Sequence, residues 1–290
     1  MNTLISILAL AALTLFATQT LAAEPYQLGP DSTTQPSVPQ GEVTKHVWKS
    51  EKIFPGTERD YWVYVPKQYD GKKPANLIVF QDGQNYLRND VKAPTVLDNL
   101  IAKKEIPATI GLFIMPGKRS STATSQEAKQ QRSVEYDTMS DAYARFLLEE
   151  MIPELEKTYS ITKDPAGRAI GGHSSGGICA FTVAWERPDA FRNVISHCGS
   201  YTNIRGGNAY PSLIRRTEKK PIRVFLQSGS KDLDNDRGNW PIANQDMASS
   251  LKFKGYDYQF VFGEGGHTLK QGGSLLPDTL RWIWRDYPKE

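Results

Sequence analysis

Ser174 lies inside Gly172-His173-Ser174-Ser175-Gly176, a G-x-S-x-G segment. A serine hydroxyl attacks a carbonyl only when a base takes its proton and a carboxylate orients that base. The chain has four histidines, so the base can be sought by elimination. His46 precedes the core strands, and His173 is within the turn, where its side chain is expected to diverge from that of Ser174. Between Ser174 and His197 the only acids are Glu186 and Asp189, at the end of a helix leading away from the strand tips. His267, in Gly263-Glu-Gly-Gly-His267 directly after the last expected strand, is left as the base. The acid is sought after the apolar run Ile222–Leu226, in Gln227-Ser-Gly-Ser-Lys-Asp232-Leu-Asp234. Asp232 comes first and is favoured, with Asp234 as its rival. The order Ser, Asp, His is the one a nucleophile elbow requires.

An acyl-transfer site also needs two N–H donors for the developing oxyanion. The backbone of Ser175 is one candidate. Gln84 is the other, in Phe80-Gln-Asp82-Gly83-Gln84, where Gly83 is expected to supply an unusual backbone conformation. Asp82, His197, Tyr201 and Trp240, with Arg119, are the candidate pocket residues. Asp232, Asp234 and Asp236 have the i, i+2, i+4 spacing of a calcium loop. Arg237 stands where that loop needs glycine and Ala243 where it needs a bidentate Glu, so no metal and no cofactor are expected.

These residues need a scaffold of strands and helices. A short β run at Ala169-Ile170 enters the turn, and a helix with Ile178, Phe181, Thr182 and Trp185 on one face leaves it. Glycines 172 and 176 remove Cβ atoms where strand and helix crowd together. Antiparallel strands are expected at His46–Phe54 and Arg59–Val65, separated by Pro55-Gly56. Continuous apolar runs at 77–80, 110–115, 194–195 and 222–226 read as buried parallel strands. A helix through Tyr143, Phe146, Leu147, Met151 and Leu155 is expected to kink at Pro153. A further helix through Ala243, Met247 and Leu251 closes at Gly255. The strand Tyr256–Phe262 and a helix through Leu276, Leu280 and Trp284 follow. Alternating strands and helices imply one α/β domain over 44–290 with a mostly parallel sheet.

Residues 1–23 carry an uncharged apolar run from Leu4 to Ala17 followed by Thr-Gln-Thr-Leu-Ala-Ala. This reads as a secretory signal cleaved near Ala22 or Ala23, and at about 14 residues it is short of the roughly 20 a membrane span needs. Residues 24–43, with four prolines, read as an extended linker. Export to the periplasm or exterior would permit a disulfide between Cys179 and Cys198, and two buried thiols are equally consistent with the sequence. A net charge of +3 over 290 residues is too mild and dispersed for nucleic-acid binding. Nothing in the sequence sets the oligomeric state.

Over residues 44–288 the chain resembles the esterase family that includes enterochelin esterases, feruloyl esterases of the first carbohydrate esterase family, esterase D and the mycolyltransferases. The resemblance is carried by Val79–Gln84, Ile170–Gly177, Gly229–Asp232 and Gly265–His267. Arg132-Ser-Val-Glu135-Tyr136-Asp137, leading into a long helix, also resembles the enterochelin-esterase branch. The resemblance implies an α/β-hydrolase fold without a large lid, with helices on both faces of the sheet. It implies Ser174, Asp232 and His267 as triad, and the Gln84 and Ser175 amides as oxyanion hole. The expected activity is hydrolysis of acylated carbohydrate, feruloyl-type or siderophore esters. An acyltransferase using the same triad, or a non-catalytic carbohydrate- or siderophore-binding module, is the alternative.

Overall fold

The computed structural model describes residues 26–119 and 122–289. The expected signal segment and its cleavage site lie outside the described residues. Strand β1 (Glu42–Ser50) pairs antiparallel with β2 (Thr57–Val65). The sequence places the first strand at His46–Phe54, four residues later than it runs. Phe54 instead plugs the core from the turn, where its carbonyl accepts from both the Thr57 N–H and hydroxyl, and Gly56 takes φ 77°. Next come β3 (Asn76–Gln81), α1 (Ala93–Ala102), β4 (Thr109–Ile114) and α2 (Ser125–Tyr136). Helix α2 starts with a capping box in which Thr124 and Glu127 bond reciprocally. The Arg132–Asp137 segment is therefore the end of a helix, not the lead into one.

Helices α3 (Ala142–Phe146) and α4 (Ile152–Glu156) are joined by a π-helical turn at Leu147–Met151. The expected kink at Pro153 takes this form. Proline has no N–H to offer the Glu149 carbonyl, which accepts from the Lys52 ammonium at 3.4 Å. The chain continues through β5 (Arg168–His173), α5 (Ser175–Glu186), β6 (Asn193–His197), α6 (Tyr210–Arg216) and β7 (Arg223–Lys231). A two-residue ribbon, β8 (Asp234–Asn235) with β9 (Gly238–Asn239), leads to α7 (Trp240–Phe253), β10 (Asp257–Gly266) and α8 (Leu269–Ile283).

The eight-stranded sheet has the order β1-β2-β4-β3-β5-β6-β7-β10. Only the pairings of β2 with β1 and with β4 are antiparallel. All six residues of β3 are buried, and their period of two divides them between two cores. Leu77 and Val79 pack with α3, α5 and α7 on one face, and Ile78 and Phe80 pack with α1 and α8 on the other. This is the expected α/β-hydrolase fold. Helix α5 departs from the amphipathic pattern expected of it: its residues 175–185 are all buried, because it is the central helix of its layer.

Residues 26–41, expected as an extended linker, are bonded to the domain. The Asn99 amide donates to the Asp31 and Thr33 carbonyls, and Gly41 N–H donates to the Asp98 carboxylate. The Asp31 carboxylate pairs with Lys103 and Arg281. Polar side chains, not apolar burial, tie this segment down, so a scan for hydrophobic periodicity misses it.

Candidate active site

Strand tips β3, β5, β6, β7 and β10 end at one edge of the sheet, and each delivers a residue there. Gly172 is the last glycine of β5 before the turn, and a Cβ on it would lie 2.3 Å from the Gly176 backbone. That contact forces the sharp reversal. Ser174 takes φ 62°, ψ −123°, a strained geometry for an L-residue. The strain is held by hydrogen bonds on both sides: Ser174 N–H donates to the His197 carbonyl at 2.9 Å, and its carbonyl accepts from Ser200 N–H at 3.1 Å.

The Ser174 hydroxyl is 2.8 Å from His267 Nε2, and His267 Nδ1 is 2.5 Å from Asp232 Oδ1. Asp232 also accepts from Leu233 N–H at 2.7 Å and from the Ser228 hydroxyl at 3.0 Å. Burial alone would raise the Asp232 carboxyl, but the His267 imidazole and the Leu233 N–H outweigh it and hold it below the usual carboxylate range. Asp234, the rival acid, is exposed in β8 and makes none of these contacts. The imidazole remains 19% exposed, enough for a substrate to reach it from solvent.

The turn after β3 is built differently from expectation. The left-handed residue is Asp82, at φ 52°, and not Gly83. Glycine is needed at 83 for closeness, since a Cβ there would lie 2.3 Å from the Phe113 backbone of β4. The single 3-10 turn Gly83–Leu87 follows. Gln81 and Asp82, directly before it, lie against the N-terminus of α5, where a Cβ on Gly176 would meet Gln81 at 3.2 Å and the Asp82 carboxylate at 3.5 Å. The Gln84 and Ser175 amides are thus carried on adjoining turns. The positive end of α5 adds a favourable field for an anion there.

Other expected pocket residues are placed elsewhere. The Asp82 carboxylate is held by Arg132 through Nε at 3.0 and 3.2 Å and Nη2 at 2.6 Å, so it anchors the turn. Asp82 N–H also donates to the Tyr136 hydroxyl oxygen at 3.2 Å. His197 is fully buried beneath α8, bonded through Nδ1 to the Tyr86 hydroxyl at 3.1 Å; burial pushes its pKa down to about 4. Tyr201 is 1% exposed, donates to the Ser196 hydroxyl at 2.9 Å and packs on Phe181 and Tyr210. Both are core residues, and continuing apolar strands hid that from a reading based on strand ends. Trp240 does reach the site: its ring meets that of His267 edge-on, with centroids 5.8 Å apart. Arg119 bonds to Gln131 and borders a groove that Gln84 also lines.

Two residues at the site were not singled out. Ser200 is 1% exposed, with its hydroxyl 3.2 Å from that of Ser174 and 3.2 Å from the Trp240 indole nitrogen. Arg132 is the clamp on Asp82. The Arg132–Asp137 motif was the only signal that could have found the clamp, and no motif points to Ser200. Cys179 and Cys198 are both free and buried, which leaves no disulfide between them in this structure.

A strained serine at a strand–helix turn, bonded to an imidazole and through it to a carboxylate, on this strand order, defines an α/β-hydrolase. The chain belongs to the esterase family: the family model described as "Esterase: Putative esterase" matches residues 52–283. It is a carboxylic ester hydrolase. Among curated relatives, the iron(III) enterobactin esterase of Dickeya dadantii is 23% identical over 81% of this chain and 53% of its own. The chain thus spans about half the length of that relative. Among solved structures, the enterobactin esterase FES from Shigella flexneri aligns with TM-score 0.69 at 20% identity, covering 90% of this chain and 63% of that one. The ferulic acid esterase AmCE1/Fae1A from Anaeromyces mucronatus aligns with TM-score 0.68 at 18% identity, covering 88% and 97%.

Proposed function

We propose that this chain is an exported serine esterase acting through an acyl-enzyme on Ser174. The observation that carries the reading is the single imidazole joining the Ser174 hydroxyl to the Asp232 carboxylate. His267 Nε2 takes the hydroxyl proton as Ser174 Oγ attacks the ester carbonyl. The Nδ1–H bonded to Asp232 fixes the tautomer and stabilises the imidazolium. The carbonyl oxygen, now negative, is received by the Gln84 and Ser175 amides. His267 then gives its proton to the leaving alcohol, and water repeats the sequence on the acyl-enzyme. Export rests on the apolar segment 1–23; no helix among the described residues is long and apolar enough to cross a membrane. Acylated carbohydrates, feruloyl-type esters and siderophore esters are the substrate classes, drawn from relatives named for enterobactin and ferulic acid. Turnover of a panel of methyl ferulate, acetylated sugars and catecholate-serine esters, with fluorophosphonate labelling of Ser174, tests it. Labelling that persists in Ser174→Ala would refute the assignment.

A further inference from the structure

Beside the His267 imidazole lie two side chains that ester hydrolysis does not use, His173 and Cys198. A ring nitrogen of His173, the Cys198 thiol and a ring nitrogen of His267 all lie within 4.8 Å of one another. His173 Nε2 is buried and has no hydrogen-bond partner among the described residues. A buried polar nitrogen left unpaired is costly, so its lack of a partner is an observation separate from the clustering. Its ring packs on that of His267 with centroids 4.7 Å apart. Cys198 is brought there by a left-handed backbone turn, φ 48°, directly after β6.

We propose that His173, Cys198 and His267 form a site for a thiophilic divalent cation such as Zn²⁺ or Cd²⁺, and that its occupation reversibly inhibits the esterase. Two imidazoles and a thiolate are the donor set such ions select, whereas Mg²⁺ and Ca²⁺ take oxygen ligands. Tetrahedral zinc at ordinary bond lengths holds its N and S donors roughly 3.3–3.6 Å apart. The present separations are all within 4.8 Å, so side-chain rotation is what would bring the donors into that range. His173 is suited to the role because its buried Nε2 has no other partner among the described residues. Burial next to the Asp232 carboxylate holds the Cys198 thiol in its protonated form. The incoming cation reverses that preference: the thiol releases its proton to solvent as the metal–sulfur bond forms, with no change of oxidation state. Inhibition follows whichever His267 nitrogen is used. Coordination at Nε2 occupies the lone pair that accepts the Ser174 proton, and coordination at Nδ1 moves the ring proton from Nδ1 to Nε2, which can then no longer accept from Ser174.

The inhibitory consequence rests on the esterase reading, so binding and inhibition are measured separately. Binding is read in the Ser174→Ala protein, by titrating Co²⁺ and following the thiolate-to-metal charge-transfer absorption. The expected result is a saturable band, abolished by EDTA and absent when Cys198→Ser is added. Absence of the band in the parent protein overturns the site even if the enzyme hydrolyses esters normally. Inhibition is read with Zn²⁺ in the full chain, each variant being normalised to its own metal-free rate. Cys198→Ser and His173→Gln are each expected to raise the half-inhibitory Zn²⁺ concentration at least tenfold, and Mg²⁺ is expected to have no effect. Equal sensitivity of the parent and both variants to Zn²⁺, or equal inhibition by Mg²⁺, overturns the proposal.

Discussion

Replacing Arg132 with Met tests whether the turn carrying Gln84 is held by charge. The Asp82 side chain is 9% exposed and that of Arg132 29%, and three N–H···O contacts join them at 2.6 to 3.2 Å. Removing one partner of a buried pair strands the other charge, at about 3–5 kcal/mol when both are dry. The partial exposure of Arg132 admits water, so a loss of about 2–3 kcal/mol is expected from urea unfolding. Activity should fall too, because Asp82 is in a left-handed conformation two residues before Gln84 and its carboxylate is the turn's fastening. Losing an oxyanion donor outright costs ~10²–10³ in kcat, so a loosened one should cost about 10–100-fold with KM nearly unchanged. Asp82→Asn removes the charge while tolerating the left-handed backbone, whereas Asp82→Ala adds about 1–2 kcal/mol of backbone strain. The Arg132→Met and Asp82→Asn effects should be strongly non-additive in a double-mutant cycle on kcat/KM for p-nitrophenyl acetate. Strict additivity, or wild-type kcat in Arg132→Met alongside lost stability, would falsify the clamp.

Asp232→Asn is expected to lower kcat by several orders of magnitude through loss of tautomer control, while Asp234→Asn leaves it within a factor of about two. The reverse ranking in steady-state kinetics would move the acid to position 234. The indole of Trp240 can only donate, and the Ser174 proton points to His267, so the Ser200 hydroxyl donates to Ser174 Oγ. Ser200→Ala should therefore slow acylation about fivefold, the worth of one hydrogen bond, and lower the urea-unfolding free energy by about 1–3 kcal/mol because the buried Trp240 N–H loses its acceptor. Glu150 accepts from the Trp48 indole, the Ser50 hydroxyl and the Ile53 and Glu51 amides. Burial would raise its carboxyl, yet these donors hold it below the ordinary value of 4.5. A lowered folded-state pKa stabilises above the unfolded value and is lost as pH falls through the folded one. Glu150→Gln should thus cost about 2 kcal/mol in urea unfolding at pH 7 and progressively less at pH 4 and below; a cost that does not shrink with acid would refute the linkage.

Much of the site is legible without coordinates because the chemistry constrains order along the chain. A strand-to-helix turn can be read from Gly172 and Gly176, and a base and an acid must arrive from later strand tips. With four histidines, that order singles out His267. Buried strands announce themselves as apolar runs, so β3 and β4 are legible, whereas the edge strand β1 is displaced because Phe54 is apolar for the sake of a turn.

What only the tertiary structure decided concerns groups whose partners are remote in sequence. Asp232 and Asp234 are equivalent as letters. Folding places one against the His267 imidazole and leaves the other exposed in a two-residue ribbon. His197 and Tyr201 read as pocket residues until the packing of α8 and α5 over them shows them to be core. Arg132 reaches Asp82 across 50 positions of chain, and Ser200 reaches Ser174 across 26. The turn at Ser174 is local and was written in its glycines. The second hydroxyl, the clamp and the unpaired His173 nitrogen depend on three-dimensional proximity, which no local pattern encodes.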